Sequence, residues 1–418
     1  MSSTRPPRVV ILVENLPVPM DRRTWQEART LADAGWDVTV IGPRGQGSMR
    51  RLRDRIDGIE VLRYPQRAAS GLAGYVAEYV PSMLFTAGWL AWTRRRGPIR
   101  VIHGCNPPDL FWIFGSIARI GGGAFVFDQH DVNPELSRTK FGEGGPGRIL
   151  HWLTLAMERA SYRAAAVVLA PNDSYAAIAR RRGRLPVDRV VVVRNAPDTA
   201  NYQVLAAEIT PDPLRIGYIG VMGSQDGIDV LIDAWRSVVA EPDLASARLE
   251  LIGDGEARPA LEGQVDELGL RESVRFHGYL PPDEFVPLLA ACQFTISPDP
   301  PTAFNDVSTM VKVVDSLVIG RPVVAFDLRE TRNVLGGAGR LVKGSTAAAL
   351  ARTIVDLLRS PDEVARLAGL AAQRPADLGL DWSNSSAALV EAYETLRPRA
   401  NGDPTGGPGS PRWRERGV

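Results

Sequence analysis

Short apolar runs alternate with longer amphipathic stretches along the first half of the chain. The apolar runs predict buried strands, at residues 9–15, 37–43, 101–104, 124–130 and 166–171. The amphipathic stretches predict helices between the strands, for example at residues 25–34 and 152–162. Alternation of this kind is typical of a parallel sheet with helices on both faces. The first half of the chain therefore predicts a doubly wound α/β domain.

The same alternation restarts in the second half of the chain. It predicts strands at residues 214–220, 247–253, 273–278, 292–297 and 321–326. It predicts helices at residues 228–240, 257–268, 282–290 and 308–319. In doubly wound domains, ligands bind at the carboxyl ends of the strands. We therefore expect a second α/β domain, with a binding site at the carboxyl edge of each sheet.

The positions of proline and glycine residues in the sequence indicate the limits of the domains. We assign residues 1–198 to an N-terminal domain, 199–213 to a proline-containing linker and 214–380 to a C-terminal domain. A strong helical pattern at 381–398 predicts a last helix that returns to the N-terminal domain. The Gly/Pro-rich residues 399–418 predict a disordered tail.

The segment from Val80 to Arg96 is apolar and ends in three arginines. Its apolar part is shorter than the roughly 20 residues that a membrane-spanning helix needs. Two interpretations stay open. An interfacial helix would place Trp89 and Trp92 at headgroup level and the arginines on anionic lipid, giving peripheral membrane contact. The other interpretation is a core helix that ends in a solvated basic turn, and it is slightly favoured.

Composition narrows the functional classes. A length of 418 residues favours two domains, and a net charge of +1 provides no overall field that attracts nucleic acid. Cys105 and Cys292 are the only cysteines, which excludes a disulfide framework and suits a reducing cytosol. The four histidines show no metal-ligand spacing, so no metal centre is predicted. The first residues lack a long apolar signal segment, and we expect a cytoplasmic location.

Polar residues interrupt the predicted helix at 308–319. Free backbone N–H groups at a helix start can bind an anion, and the cap and first turn here would hold Asn305, Asp306, Ser308 and Thr309. Lys312 and Asp315 share one face of the helix with Ser308. Two alternatives stay open at this point. Lys312 meets a phosphate while Asp315 accepts ribose hydroxyls, or Ser308 caps the helix while Lys312 pairs with Asp315.

This stretch, NDVSTMVKVVDSLVIGRPVVAFDLRETR, resembles the donor-nucleotide motif of family 4 retaining glycosyltransferases (glycosyl transferases group 1) with the GT-B fold. The similarity is greatest to the bacterial branch that builds cell-surface polysaccharides. Further segments match in the expected order, among them NLPVPMDRRTWQEARTLADAGWDVTVIGP, FDQHDVNPEL, VVVRNAPD, IGYIGVMGSQDGIDVLIDAW, LIGDGE and VRFHGYLPPDE. The resemblance covers nearly the whole chain up to the tail.

The resemblance implies two Rossmann-like, doubly wound domains that face each other across a cleft. It implies transfer of a sugar from a nucleotide-diphosphate donor, a UDP-sugar being favoured, with retained anomeric configuration. The expected acceptor is a hydroxyl of a saccharide or of a lipid-linked molecule in polysaccharide or glycolipid biosynthesis. No cofactor, metal ion or nucleic acid partner is implied.

The resemblance also implies roles for individual residues. Lys312 would neutralise the leaving diphosphate, His130 would approach the reacting sugar, and Asp306 would act in place of a missing catalytic carboxylate. The implied donor-binding residues are Gly220, Gly223, Arg194, Asn305, Ser308, Thr309 and Asp315.

Acceptor binding is expected at the ends of two strands of the first domain. Asp21, Arg22 and Arg23 follow the first strand, and the arginines could bind an acceptor diphosphate or form a solvated charge run. Asp131 and Glu135 lie beside His130 and could orient it, contact the acceptor or cap a helix. These alternatives stay open.

The chain departs from the family pattern at four positions. Val307 stands where the wider family has its first glutamate, and Asp315 shortens the second. Val221 and Asp226 stand where the family has an arginine and a lysine after the glycine loop. Arg194, Arg329 and Arg332 are candidates to replace those cations. These departures keep open a catalytically degenerate nucleotide-sugar-binding protein, and the shared architecture keeps open a sugar-nucleotide epimerase.

Overall fold

The computed structural model describes residues 6–66, 71–142, 144–199, 202 and 213–397. These residues form two compact units. The first contains the chain up to Arg194 together with the residues from Ser385 onward, and the second runs from Asn195 to Asn384. The predicted linker at 199–213 lies largely outside the described residues, and the predicted tail at 399–418 lies entirely outside them.

The first unit is built on an eight-stranded sheet in the order β3-β4-β2-β1-β5-β6-β7-β8. Its strands are β1 (Arg8–Leu12), β2 (Asp37–Pro43), β3 (Arg53–Ile56), β4 (Ile59–Tyr64), β5 (Val101–Cys105), β6 (Ala124–Asp128), β7 (Val167–Ala170) and β8 (Val190–Val192). Only the β3–β4 pair is antiparallel within this sheet. Its helices are α1 (Arg22–Asp33), α2 (Gly71–Arg95), α3 (Trp112–Ile120), α4 (Asn133–Phe141), α5 (Gly145–Ala164) and α6 (Asp173–Gly183).

The second unit is built on a six-stranded parallel sheet in the order β11-β10-β9-β12-β13-β14. Its strands are β9 (Arg215–Ile219), β10 (Arg248–Ile252), β11 (Val274–Gly278), β12 (Phe294–Ser297), β13 (Val323–Phe326) and β14 (Gly339–Val342). Its helices are α7 (Ile228–Val239), α8 (Arg258–Glu267), α9 (Pro282–Ala290), α10 (Val311–Val318), α11 (Arg329–Leu335), α12 (Ala347–Leu358) and α13 (Pro361–Leu378). The last helix, α14 (Trp382–Glu394), begins in this unit and continues into the first.

Burial on both faces explains why the strands are continuous apolar runs rather than alternating ones. Val9, Val10, Ile11 and Leu12 of β1 are all fully buried. Strands covered by helices on both faces have no solvent side on which polar residues would be favoured. The expected pair of doubly wound α/β domains is therefore confirmed.

Each sheet contains a point at which the chain changes direction across the sheet. After β4 the chain returns to the other side of β1 to form β5, and after β11 it returns to the other side of β9 to form β12. Such switch points leave a crevice at the carboxyl ends of the two neighbouring strands, where ligands bind in doubly wound folds. The two candidate locations are thus the β1/β5 edge and the β9/β12 edge.

The start of α10 differs from the expectation. Asn305–Val307 form a 3-10 turn, Ser308 has an extended backbone, and α10 begins at Val311 rather than at Ser308. The Ser308 hydroxyl donates to the Phe304 carbonyl at 2.7 Å instead of capping the helix. Helix α10 therefore begins three residues later than the spacing suggested, with Met310 as its N-cap residue.

Helix α2 covers the segment from Val80 to Arg96 almost entirely, and it presents Val80, Leu84 and Phe85 to solvent. Trp89 donates to the Arg63 carbonyl at 3.2 Å, and the Trp92 ring lies under the Arg53 and Arg96 guanidinium groups at 4.3 and 4.5 Å. The two tryptophans therefore make contacts within the unit. No helix in the described part of the chain combines the length and the apolar character needed to cross a bilayer.

Tyr393 fixes α14 to the first unit. It is fully buried, its hydroxyl lies 2.7 Å from Nδ1 of His103 in β5, and its ring packs edge-on against Trp36 at 5.3 Å. Tyr393→Ala should lower the free energy of unfolding of the first unit by about 3–5 kcal/mol, because it leaves a large cavity. Tyr393→Phe should cost about 1 kcal/mol, because His103 loses its partner.

Hydrogen exchange of the β1 and β5 amides measures both values. Tyr279→Ala is a suitable control, since Tyr279 is exposed in the second unit. Exchange in β1 and β5 that is unchanged by Tyr393→Ala would contradict the assignment of α14 to this unit.

Candidate functional site

Lys312 lies at the β9/β12 switch point of the second unit. It is in the first turn of α10, and only 8% of its side chain is exposed. Its Nζ donates to Oδ1 of Asp299 at 2.6 Å and to Oδ1 of Asp226 at 3.3 Å. Asp299 follows β12 and Asp226 follows β9, so both carboxylates come from the carboxyl ends of adjacent strands. The fold therefore brings a buried cation to the edge where a ligand is expected.

The surroundings of Lys312 keep it charged. Burial alone disfavours the ammonium form, but the nearby Asp299, Tyr218 and Asp226 outweigh it and raise the pKa of Lys312 above its usual range. The Tyr218 ring centroid lies 5.1 Å from Nζ. Lys312 therefore carries its positive charge throughout the physiological pH range.

The loop after β9 passes close to this cation. A Cβ atom at Gly220 would lie 3.3 Å from Cε of Lys312 and 3.0 Å from the Tyr218 hydroxyl, so a side chain there would crowd the lysine. The Gly223 N–H donates to Oδ2 of Asp226 at 3.0 Å. The loop thus presents a backbone donor near the lysine, which is the combination that binds phosphate oxygens.

The predicted donor residues before α10 are held by the loop itself. The Asn305 amide donates to the Pro300 carbonyl at 2.9 Å, and Thr309 donates to Glu330 at 3.2 Å. Asp306 accepts from the Arg329 N–H at 2.9 Å and pairs with its guanidinium at 3.1 Å. These contacts tie the loop to the first turn of α11.

The alternative in which Lys312 pairs with Asp315 is wrong, since Asp315 is not among the partners of Lys312. Asp315 is buried one turn further along α10, and its Oδ1 lies 3.4 Å from the hydroxyl of Tyr202. Arg332, a candidate replacement cation, pairs with Asp327 at 2.5 Å.

His130 lies near the switch point of the first unit, two residues after the end of β6. Its Nε2 is hydrogen-bonded to Oδ2 of Asp128, the last residue of that strand. Arg23 of α1 donates to the same carboxylate through Nη2 at 2.7 Å and Nε at 3.1 Å. One buried carboxylate therefore holds both a histidine and an arginine.

These contacts set the protonation of His130. Burial disfavours the imidazolium, but the charge and hydrogen bond of Asp128 raise the pKa of His130 above its ordinary value of 6.5. Burial likewise opposes the Asp128 carboxylate, but Arg23 and His130 hold the pKa of Asp128 well below its usual range. The site thus contains a histidine whose charged form is favoured more than in an ordinary imidazole.

Comparison with known proteins assigns a family to each half of the chain. Residues 20–196 match the model of the glycosyl transferase 4-like domain, and residues 213–360 match that of glycosyl transferases group 1. Together the two models span most of the chain. The chain is a GT-B glycosyltransferase. The family models name glycosyl transfer, so the epimerase alternative finds no support.

Three similar proteins illustrate the assignment. The D-inositol 3-phosphate glycosyltransferase of Corynebacterium urealyticum is 25% identical over 397 residues, 88% of each chain. The 2-deoxystreptamine glucosyltransferase of Streptomyces kanamyceticus is 28% identical over 364 residues, which is 81% of this chain and 89% of that one. Anabaena HepE, solved with UDP and glucose, has 19% identity and a TM-score of 0.66 over 93% of this chain and 99% of its own, which shows a shared fold.

The candidate acceptor residues of the glycosyltransferase differ in how they are held. Asp21 caps α1 by accepting from the Thr24 N–H at 3.0 Å, and Arg22 is half-buried beside it. Arg23 is 6% exposed and committed to Asp128. It is therefore not part of a solvated charge run, because its charge is balanced inside the unit, and that alternative is wrong for Arg23.

The residues around His130 are also held by hydrogen bonds and ion pairs. The Asn106 amide oxygen, at the end of β5, accepts from the backbone N–H groups of His130 and Asp131 at 2.6 and 3.1 Å. Burial raises the pKa of Asp131. Glu135 forms an ion pair with Arg182. Arg194, predicted to bind the donor, pairs with Asp173 at 2.7 Å in the first unit.

One described group in the glycosyltransferase has the side chains of a metal site. Ligand atoms of Glu27, His103, Cys105 and Asp128 lie within 4.8 Å of one another, and all four residues are buried. Arg23 lies between the carboxylates, with its Nε 3.2 Å from Glu27 and its Nη2 2.7 Å from Asp128. Its positive charge opposes a second cation at the same atoms, so this donor set does not fit a metal ion as arranged.

Asp299 and Asp128 are the site residues that the sequence patterns did not identify. Both stand at the carboxyl end of a predicted strand, in SPDP and FDQHD, where the fold places ligand contacts. Each contacts a predicted catalytic residue, so strand-end aspartates were the available signal.

A separate cavity of about 600 Å³ in the first unit is lined by Arg159, Arg163, Arg181, Arg182, Gly183 and Arg184, and it contains none of the predicted site residues.

The charge on His130 can be tested by an NMR pH titration of its ring. We expect an inflection above 6.5 in the wild type. Asp128→Asn should move it below the wild-type value, because burial remains while the counter-charge is lost. The contribution that the raised pKa of His130 makes to folding stability is present below about pH 6.5. It is lost as the pH rises through the pKa of His130 in the folded state.

Backbone amide signals of the second unit, which does not contain Asp128, should be the same in both proteins and provide the control. The same inflection for His130 with and without Asp128 would contradict the proposed pairing.

Proposed function

We propose that the glycosyltransferase moves a sugar from a nucleotide-diphosphate donor to an acceptor hydroxyl, with the donor bound at the β9/β12 edge. The observation that carries this proposal is the buried, charged Lys312 beside the Gly220–Gly223 loop at the switch point of the second unit. A cation and a backbone N–H aimed at one place match the charge that develops on a departing diphosphate. A UDP-sugar is the favoured donor, supported by the UDP bound to the related fold of HepE.

Further donor contacts are proposed for the residues around Lys312. Asn305, Ser308 and Thr309 are proposed to shape the sugar and phosphate side. Asp315, a buried carboxylate shorter than a glutamate, is proposed to accept the ribose hydroxyls. Asp306 remains the proposed substitute for the missing glutamate at Val307, and donor binding would have to release it from Arg329. No cofactor beyond the nucleotide sugar is proposed.

Retention of anomeric configuration is part of the proposal. Its support is the family resemblance, since the oxocarbenium-like transition state that the electrostatic character of the site suits is common to retaining and inverting transfer. His130, whose pKa is raised by Asp128, is proposed to contact the reacting sugar. The test is the anomeric proton coupling of the product by NMR, in which an α-linked donor gives an α-linked product and a β-linked product overturns retention.

The proposed acceptor is a saccharide or a lipid-linked molecule, contacted by Asp21, Arg22, Asp131 and Glu135. The exposed Val80, Leu84 and Phe85 on α2 support the proposal of peripheral membrane contact through that helix. A second candidate is a cyclitol, because the two relatives described above are named for inositol phosphate and 2-deoxystreptamine acceptors. An acceptor panel that contains both classes distinguishes them by which one accelerates nucleotide release.

The central experiment incubates the purified chain with UDP-, GDP- and ADP-sugars and measures nucleotide release. We expect release from one of these donors. Lys312→Met should lower it at least about 100-fold, because the leaving group loses its cation. Lys343→Met is the matched control, since Lys343 is an exposed lysine in the same unit and its loss should leave the rate unchanged.

A folding artefact is separated by a second variant. Lys312→Met leaves Asp299 buried without its cation, whereas Lys312→Met with Asp299→Asn removes the cation and a carboxylate together. The double variant should fold with near wild-type stability yet remain inactive. Activity retained in Lys312→Met contradicts the role proposed for Lys312, whereas silence of the folded wild type across the whole panel contradicts the proposed transfer and favours the degenerate binding protein.

A further inference from the structure

Asp226 makes two contacts that a bound anion would make. Its Oδ1 lies 3.3 Å from Nζ of Lys312, and its Oδ2 accepts from the Gly223 N–H at 3.0 Å. These are the cation and the backbone donor that the proposed diphosphate would need. A carboxylate is itself an oxyanion, so one of the chain's own side chains occupies this position.

The two carboxylates on Lys312 are held differently. Asp299 is 2% exposed, bonded to Nζ at 2.6 Å, and also bonded to the Ser297 hydroxyl. Asp226 is 16% exposed and lies at the longer distance of 3.3 Å. Asp299 is therefore the permanent partner that keeps Lys312 in place, and Asp226 is the partner that can leave.

The backbone near Asp226 favours a movement of the side chain alone. The Asp226 N–H donates to the Gly223 carbonyl at 3.2 Å, which closes a tight turn. The next residue, Gly227, has a φ of 70°, and a Cβ atom there would lie 2.1 Å from the Pro298 carbonyl. Since the start of α7 is packed this closely against the segment after β12, rotation of the Asp226 side chain is the simplest way to free its two donors.

The charge balance makes this movement necessary for a ligand. Lys312 contributes one positive charge, and Asp226 and Asp299 contribute two negative charges when ionised. A diphosphate that approached this group with both carboxylates in place would be repelled. With the Asp226 carboxylate turned away, the ammonium and the Gly223 N–H both become available.

We propose that Asp226 is a resident anion that occupies the diphosphate subsite in the donor-free protein and is displaced when the donor binds. The identity of the displacing ligand as a nucleotide-sugar diphosphate rests on the function proposed above. Asp226 thereby sets the affinity of the site for diphosphates, because every ligand must first exchange its own oxygens for those of the carboxylate. It acts as an affinity-determining residue rather than as a catalytic one.

Inorganic pyrophosphate tests the proposal without a nucleoside. Isothermal titration of the full chain should show that Asp226→Asn binds pyrophosphate about tenfold more tightly than the wild type, since the charged competitor is gone. The asparagine oxygen can still accept from Gly223, so the turn is preserved. Pyrophosphate binding that is detectable in Asp226→Asn but not in the wild type supports the proposal equally.

Two isosteric variants separate occupancy from net charge. Asp229→Asn removes a charge from an exposed residue at the start of α7. The affinity of this variant for pyrophosphate should stay within about twofold of the wild type. Asp299→Asn removes a charge beside Lys312 but leaves Asp226 in place, so any gain should be smaller than for Asp226→Asn. A gain in pyrophosphate affinity that is as large in Asp299→Asn as in Asp226→Asn, or no gain in Asp226→Asn, overturns the proposal. Asp226→Ser repeats the test with a second uncharged side chain.

The result is independent of the proposed function. Tighter pyrophosphate binding in Asp226→Asn, without nucleotide release from any sugar donor, supports the resident anion and contradicts the proposed transfer. Turnover of a donor, with pyrophosphate affinity unchanged by Asp226→Asn, supports the transfer and overturns the resident anion.

Discussion

The buried ion pair between Lys312 and Asp299 is the interaction on which the second unit's site depends. An ammonium group removed from water costs several kcal/mol unless a nearby anion compensates for it. Asp299 provides that anion at 2.6 Å, and Tyr218 adds its ring face. Removing one partner of such a pair typically destabilises a protein by about 3–5 kcal/mol, because the other charge is left buried and unpaired. The site is therefore part of the fold of this unit as well as a candidate for chemistry.

The first unit solves a related problem with different residues. Arg23 and Asp128 are buried and His130 is half-buried close to the β1/β5 switch point, and the carboxylate is shared by the arginine and the histidine. Arg23 and His130 lower the pKa of Asp128, and Asp128 in turn raises the pKa of His130. Both units thus hold a basic side chain at the carboxyl edge of a parallel sheet through strand-end aspartates. The same construction serves a lysine in one unit and a histidine in the other.

Much of the fold could be predicted from the sequence, because its strands are buried on both faces and follow one another in a regular alternation. Helix α9 occupies the predicted residues 282–290, and β2 the predicted residues 37–43. The pattern failed where charged residues interrupt the apolar run or the strand is short, and it missed the largely buried β4, IEVLRY, whose Glu60 and Arg63 break its apolar run. Strand β3, RDRI, is largely exposed and charged, and the three-residue β8 is too short to form a recognisable run.

The partners of the charged residues could not be predicted, because they are distant in the sequence. Asp226 lies 86 residues from Lys312, and Asp128 lies 105 residues from Arg23. Local spacing can test only neighbours within one or two helical turns, which made a Lys312–Asp315 pair and a solvated Arg23 reasonable alternatives. The sheet order decided both questions, since it brings strand ends from distant parts of the chain to one edge.

The most direct test of the account is a crystal structure of the chain with a nucleoside diphosphate. We predict diphosphate oxygens within about 3 Å of Nζ of Lys312 and of the Gly223 N–H, with Asp299 still paired to the lysine and the Asp226 side chain turned away. A diphosphate bound elsewhere, with Asp226 still on both donors, would contradict the account.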